Sequence, residues 1–194
     1  MNVVDRVKRI LLSPQSEWEV IDGEVTTPSA LYTGYIVPLA AIGPIANLIG
    51  STVFGMRVPF SGTVVRTPIG SAIASAIVTY VLTLVGVYVL ALIIDGLAPT
   101  FGGTRNPIQA LKVAAYSSTA AWVAGIFAIM PGLRVLGLLG LYSIYLLYLG
   151  LPVLMKSPKD RAVGYTVLVI VVEAVLLIAI GTVGALFGGT RAMM

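Results

Sequence analysis

Five long apolar segments dominate this sequence and leave few folds open to it. They lie at about residues 30–54, 69–94, 110–130, 133–155 and 162–187. Each is long enough to cross a hydrocarbon core of about 30 Å as a helix that rises about 1.5 Å per residue. Because 58% of the residues are hydrophobic and only 10% are charged, a water-soluble surface is excluded. The sequence therefore predicts an all-α, polytopic membrane helical bundle with five transmembrane helices.

Helix starts are marked by a polar residue followed by proline. This pair precedes four of the five segments, at Thr27-Pro28, Thr67-Pro68, Asn106-Pro107 and Ser157-Pro158. The polar side chain can accept a hydrogen bond from the first turn, and proline lacks an N–H that would have no partner there. Only Met130-Pro131-Gly132 separates the third and fourth segments, which predicts an antiparallel hairpin.

Lysine and arginine are unevenly divided between the two sides of the predicted membrane. With five crossings, four of the twelve lie on the side of the C-terminus, and the remaining eight lie on the side of the N-terminus: Arg6, Lys8, Arg9, Arg105, Lys112, Lys156, Lys159 and Arg161. Cytoplasmic loops retain basic residues. We therefore expect a cytoplasmic N-terminus and a C-terminus outside.

Residues 1–29 differ from the bundle of residues 30–194 and form a separate N-terminal segment. In a helix after Asn2, one side carries Val3, Val7, Ile10 and Leu11, while Arg6, Lys8 and Arg9 lie elsewhere. We expect an amphipathic, interfacial segment on the cytoplasmic side, with Trp18 at headgroup depth. The apolar stretch at residues 10–12 is too short for a signal peptide, so we expect this segment to be retained.

Two roles fit this N-terminal segment. It can simply anchor and cover the bundle, or it can be a docking platform for a partner. In the second case the candidate docking residues are Trp18, Glu19, Arg105 and Lys112.

Glu173 is the one ionisable residue predicted near the middle of the bilayer. Gly184 shares its side of the fifth helix, and glycine permits close helix packing. Intramembrane ionisable residues often mark functional sites. By depth, its candidate neighbours are hydroxyl side chains of the other helices, above all Tyr80, Thr119 and Tyr145. This polar layer is either a set of packing contacts or a proton or substrate site.

The first apolar segment is interrupted by Pro38 and Pro44. Each proline removes a backbone hydrogen bond, which predicts a kinked helix with carbonyl groups in need of other partners. Asn47 is a candidate partner. The kink is either purely structural or lines an ion or substrate site.

The chain contains no histidine and no cysteine. This excludes disulfides, Cys/His zinc sites, thiol nucleophiles, haem ligation and histidine-based triads. We therefore expect no enzymatic activity, no catalytic residues, no cofactor and no metal. The net charge of +4 in so apolar a chain favours contact with anionic lipid headgroups over nucleic acid.

Several short motifs occur in a characteristic order: Ser13-Pro14 to Trp18, Tyr35 with Pro38-Leu39, Phe101-Gly102-Gly103, the run 112–117, and Tyr142 through Gly150-Leu151-Pro152 to Lys156-Ser157-Pro158. Together with the five-segment count, this order resembles the Yip domain family, the Ypt/Rab-interacting five-span membrane proteins, in its prokaryotic branch. One departure is Ser118-Thr119-Ala120-Ala121, where many relatives carry a kinking proline.

The resemblance implies a cytoplasmic N-terminal segment, a helical bundle and no recognised enzymatic activity. Eukaryotic members associate with small GTPases and with one another in vesicle trafficking, so a small GTPase is a partner by family analogy only. The short tails and apolar composition suggest a prokaryotic plasma membrane.

We therefore expect a non-enzymatic integral membrane protein that acts through protein or lipid association, in a trafficking-like or organising role. Its partners would be membrane lipids, another membrane protein, or a second copy packed along the small residues of the third helix, namely Ala110, Ala114, Ser117, Ala121 and Gly125. The alternative is a small transporter or channel component with a midplane site at Glu173.

Overall fold

In the part of the chain that the structure describes, four helical segments are long and apolar enough to cross a membrane. The structure, a computed structural model, describes residues 2–57 and 64–188. The four segments are span 1 (Pro28–Phe54), span 2 (Ile69–Phe101), span 3 (Pro107–Ile129) and span 4 (Pro131–Leu154). The predicted all-α membrane helical bundle is thus confirmed. A further helix, α10, runs over Ala162–Gly188, where the fifth crossing stays a prediction.

The elements follow one another in a simple order. Two helices precede the spans, α1 (Val3–Leu12) and α2 (Pro14–Gly23). Span 1 consists of α3 (Pro28–Leu31), a π turn (Tyr32–Ile36), α4 (Val37–Ala40), α5 (Ile42–Ile49) and a second π turn (Gly50–Phe54). Two short antiparallel strands follow, β1 (Met56–Arg57) and β2 (Val64–Val65), with Met56 opposite Val65.

Spans 2 to 4 mix α and 3₁₀ turns. Span 2 is α6 (Ile69–Leu97) with a 3₁₀ turn (Ala98–Phe101). Span 3 consists of α7 (Pro107–Ser117), α8 (Thr119–Ala124) and a 3₁₀ turn (Gly125–Ile129). Span 4 consists of a 3₁₀ segment (Pro131–Leu141) and α9 (Tyr142–Leu154). A 3₁₀ turn (Lys159–Arg161) leads into α10.

Two of the four predicted helix caps form. The Thr27 hydroxyl accepts from the N–H of Ala30, and Asn106 Oδ1 accepts from the N–H of Gln109, both at 3.2 Å. At the other two positions the proline itself precedes the first helical residue, because Pro68 and Pro158 have extended backbone with ψ of 138° and 137°. Those two helices therefore begin one residue later than the motif predicts.

Span 3 breaks at Ser118 although it has no proline there. The hydroxyls of Ser117 and Ser118 both donate to the carbonyl of Ala114, at 3.3 and 2.8 Å. Such back-bonding competes with the helical ladder and bends helices. Two serines thus accompany a break in a span that has no proline at this position.

The small-residue edge of span 3 packs inside the chain. Ala110 and Ala114 are fully buried, and a Cβ on Gly125 would lie 2.9 Å from the Cα of Gly43 in span 1. This edge is therefore occupied by intramolecular contacts at these positions, whereas Ala121 of the same edge is exposed.

The core joins the N-terminal helices to the spans. Its largest fully buried side chains come from both regions and include Ile10, Trp18, Ile21, Ile36, Ile94, Leu146, Leu151 and Tyr165. α1 and α2 therefore pack against the same core as the spans.

Candidate functional site at the N-terminal helices

α1 carries a buried arginine on the side that faces the bundle. Arg6 lies three residues after Val3 and four before Ile10, so the three share one side of the helix. Its side chain is 6% exposed. Nη1 donates to Glu17 Oε1 at 2.5 Å, and Nη2 donates to the Glu24 carboxylate. This corrects the prediction that Arg6 lies away from the apolar side, since two carboxylates make its burial tolerable.

The charge of Arg6 is firmly held. Burial by itself lowers the pKa of Arg6, but the hydrogen bond that Arg6 donates to Glu24 and the coulombic effects of Tyr116, Glu24 and Glu17 together raise it above its ordinary value. The guanidinium also lies over the ring of Tyr116, 5.4 Å from its centroid. Arg6 is therefore a permanent cation that links α1 to α2 and to span 3.

Lys112 of span 3 holds the end of α2. Its Nζ donates to the carbonyl of Ile21 at 2.9 Å and to that of Glu24 at 2.6 Å, and the residue is 3% exposed. The last carbonyls of a helix lack intrahelical partners and favour a cation. Asp22 is held as well, by Lys156 Nζ at 2.6 Å and by the Gln109 amide at 3.1 Å. Lys112 is therefore a buried cap rather than an exposed docking residue.

Trp18 of α2 is fully buried against span 4. A Cβ on Gly150 would lie 2.7 Å from Trp18 Cζ2, so the indole packs directly on the backbone of α9. Its ring also meets Tyr116 edge to face, with centroids 6.3 Å apart. The structure thus places Trp18 in the protein core. Of the four candidate docking residues, Glu19 and Arg105 remain exposed.

Tyr35 and Thr119 connect spans 1 and 3 beside this cluster. Their hydroxyls share a hydrogen bond of 2.8 Å, and the Tyr35 ring meets the Tyr116 ring at 4.7 Å. A cavity of about 380 Å³ lies here between α1 and the two spans. Its polar lining includes Arg6, Glu24, Thr26, Tyr35 and Tyr116.

The hydroxyl groups predicted around Glu173 have other partners. Tyr80 donates to the carbonyl of Val37 at 3.0 Å, Thr119 bonds to Tyr35, and Tyr145 is 41% exposed with its ring against Tyr142. Glu173 is half-buried on α10. No hydrogen bond within residues 2–57 and 64–188 joins these side chains to Glu173.

The predicted interruption residues lie in a broken span 1. Pro38 lies in α4 directly after the first π turn, and Pro44 is buried in α5. The N–H of Ala41 donates to the carbonyl of Leu39, whereas in a regular α-helix it would donate to that of Val37. The Val37 carbonyl can therefore accept the hydrogen bond from the Tyr80 hydroxyl. Asn47 is exposed and borders a cavity of about 260 Å³ with Pro44 and Thr79. Gly184 lies in α10, and its packing is outside the part of the chain whose side chains are described.

Three members of the site were missed as a group: Arg6, Tyr35 and Tyr116. The helical spacing of Arg6 from Val3 and Ile10 was an available signal. Contacts between different spans leave no such signal in the spacing of residues along the sequence. Within the described ranges, no cluster of three acidic residues has the arrangement of a metal site. The arrangement joins helices and displays no nucleophile beside a base.

The chain is similar in sequence to known membrane proteins. A family model described as the Yip1 domain matches residues 8–181. The inner membrane protein YohC of Escherichia coli K12 is 29% identical over 118 residues, which are 61% of this chain and 60% of that protein. The protein of the same name from Escherichia coli O6:H1 matches to the same extent. The match thus spans about 60% of the length of these curated relatives. No solved structure matches.

Proposed function

Because the chain belongs to the Yip1 domain family, we propose that it is a non-enzymatic, multi-pass membrane protein that acts by association with other proteins or with lipids. The attachment of α1 and α2 to the spans carries this proposal. Arg6, Glu17 and Lys112, the buried charged groups of this region, all serve that attachment. They support a binding scaffold and offer no arrangement for bond-breaking chemistry.

The attachment favours a rigid recognition surface over a mobile tail. The buried Arg6–Glu17 ion pair joins α1 to α2. α2 is held on span 3 by the Lys112 hydrogen bonds and the Trp18–Tyr116 contact, and on span 4 by the packing of Trp18 against Gly150. Charged side chains stay exposed around them, namely Lys8, Arg9, Glu19, Lys156, Lys159 and Arg161. A preorganised charged surface binds a partner at a smaller entropic cost than a tail that must order.

The proposed placement has five crossings, a cytoplasmic N-terminus and a C-terminus outside. The excess of basic residues on the N-terminal side supports it. The relatives that are named inner membrane proteins support a prokaryotic plasma membrane. A small GTPase is a partner by family analogy alone.

Site-specific photocrosslinking in native membranes tests the proposal. A photoreactive amino acid replaces Glu19, which is exposed beside α2; the control replaces Leu138, which is 64% exposed in span 4. We expect a discrete adduct with a protein or with one lipid class at position 19, whereas position 138, which faces bulk lipid, should give only unselective lipid adducts. The absence of any discrete adduct at position 19 across growth conditions contradicts association as the function.

Flux measurements in liposomes test the transporter alternative. Wild type and Glu173→Gln are reconstituted and compared for ion and solute uptake. We expect no flux above that of empty liposomes from either protein. A flux in wild type that Glu173→Gln abolishes would overturn the proposed function.

A further inference from the structure

An apolar groove lies at the end of span 2 that is predicted to meet the cytoplasm. Its volume is about 390 Å³. The walls come from α6, from the start of α7 and from Pro28 of span 1; they include Tyr88, Ala91, Leu92, Ile108 and Leu111. Tyr88 and Leu92 are 53% and 54% exposed, so the groove opens on the outer surface of span 2. In a membrane, that surface faces lipid.

A buried carboxylate lines the polar end of this groove. Asp95 is 7% exposed. Its Oδ2 accepts from Nε of Arg105 at 3.1 Å, while its Oδ1 has no hydrogen-bond partner among the described residues. A carboxylate in such surroundings normally has donors for both oxygens. The unpartnered oxygen points to a ligand that carries a donor.

Arg105 supplies the complementary charge. Its side chain is 65% exposed, and the hydrogen bond it makes within the described ranges uses Nε alone. The two Nη groups are suited to a phosphate, which guanidinium binds through paired N–H donors. Arg105 also precedes Asn106, the N-cap of α7, where the helix dipole favours an anion.

We propose that this groove binds a phospholipid with a primary ammonium in its headgroup, of the phosphatidylethanolamine type. The inference rests on lipid association, which is part of the proposed function. The phosphate binds Arg105 and the start of α7, the ammonium binds the Asp95 carboxylate, and an acyl chain lies along Tyr88 and Leu92. Because Arg105 is exposed, it can swing from Asp95 to the phosphate and open the carboxylate to the ammonium.

Headgroup chemistry separates this lipid from other membrane lipids. Phosphatidylglycerol carries the phosphate but no cation for Asp95. Phosphatidylcholine carries a cation without N–H donors. Only the primary ammonium provides both a charge and hydrogen bonds to the carboxylate.

The test measures lipid binding to the full-length protein in detergent by native mass spectrometry, with each of the three phospholipids titrated separately. We expect wild type to bind phosphatidylethanolamine about tenfold more tightly than the other two, as one charge-assisted hydrogen bond implies. Asp95→Asn should remove this preference, and Arg105→Gln should weaken binding of all three lipids. Lys8→Gln removes an exposed charge outside the groove and should change nothing.

A second variant keeps the test independent of Asp95. Leu92→Trp places a bulky side chain at an exposed wall of the groove, and it should weaken phosphatidylethanolamine binding without altering either polar group. Equal binding of the three lipids by wild type, or binding that is insensitive to Asp95→Asn, Arg105→Gln and Leu92→Trp, overturns the groove but leaves lipid association standing. A protein that retains no phospholipid at all contradicts lipid association too.

Discussion

Arg6 shows how a single charged residue can hold an amphipathic helix on an apolar bundle. It is buried on the same side of α1 as Val3 and Ile10, and its guanidinium bonds to carboxylates from α2 and from the segment after it. Isolated burial of a charge is costly, but a pair or triad with good hydrogen bonds is tolerated. The triad thus gives α1 one defined position, which apolar contacts alone define less sharply.

Replacement of Arg6 tests this role at the residue scale. Arg6→Met leaves Glu17, whose side chain is 4% exposed, without its buried cation. We expect a loss of about 3–5 kcal/mol in the free energy of unfolding, the usual result when one partner of a buried ion pair is removed. Thermal unfolding in detergent measures it.

The matched control is Lys8→Met, which removes the same charge from an exposed position on the same helix. Surface substitutions usually change stability by no more than about 0.5 kcal/mol. Equal melting temperatures for the two variants contradict a structural role for the Arg6 triad.

At the scale of elements, close backbone contacts join loops and helices where the family motifs occur. Phe101 stacks on Tyr165 of α10, with centroids 4.8 Å apart. Gly102 has a φ of +73°, which glycine adopts without strain. A Cβ on Gly103 would lie 2.7 Å from the carbonyl oxygen of Met155 at the end of α9. The Phe-Gly-Gly motif therefore joins the span 2 to span 3 loop to the ends of α9 and α10.

The contact of α2 with α9 gives a prediction at the same scale. Gly150→Ala places a methyl group 2.7–2.9 Å from three atoms of the rigid Trp18 ring, so the indole must shift. In a Trp122→Phe background, Trp18 is the only tryptophan. We expect a red-shifted emission and greater quenching by acrylamide, because the indole becomes more accessible.

Gly86→Ala in the same background is the control, since a Cβ on Gly86 meets nothing within 4 Å. Its emission should match that of the parent. An unchanged spectrum for Gly150→Ala means that α2 does not pack on α9 as described.

At the scale of the whole molecule, the number of crossings determines where each end of the chain lies. Spans 1 to 4 are present as apolar helices, and α10 extends over 27 residues. We predict that α10 crosses as well, so that a reporter fused to the N-terminus is active only in the cytoplasm and one fused to the C-terminus only outside. Paired alkaline phosphatase and fluorescent protein fusions provide the measurement. Two ends in one compartment contradict the five-span arrangement and the depth assigned to Glu173.

Local signals predicted the elements better than they predicted the site. The caps at Thr27 and Asn106 form because each needs only the next three residues. The hydroxyl layer around Glu173 was inferred from depth, and depth does not specify how each helix is rotated about its axis. In the structure Tyr80 and Thr119 turn toward span 1. Their partners lie 43 and 84 residues away in the chain, beyond the reach of any spacing rule.

The sequence by itself determined that this protein is a helical membrane bundle and where its first four spans lie, because transfer of apolar residues to lipid depends on composition and length. Tertiary structure alone decided that Trp18, Lys112 and Arg6 are interior residues. An amphipathic helix presents the same pattern to a lipid surface and to a protein core, so its periodicity is equally consistent with both. Only the three-dimensional contacts with Gly150, Glu17 and the end of α2 show that the protein core, and not a lipid surface, buries these side chains.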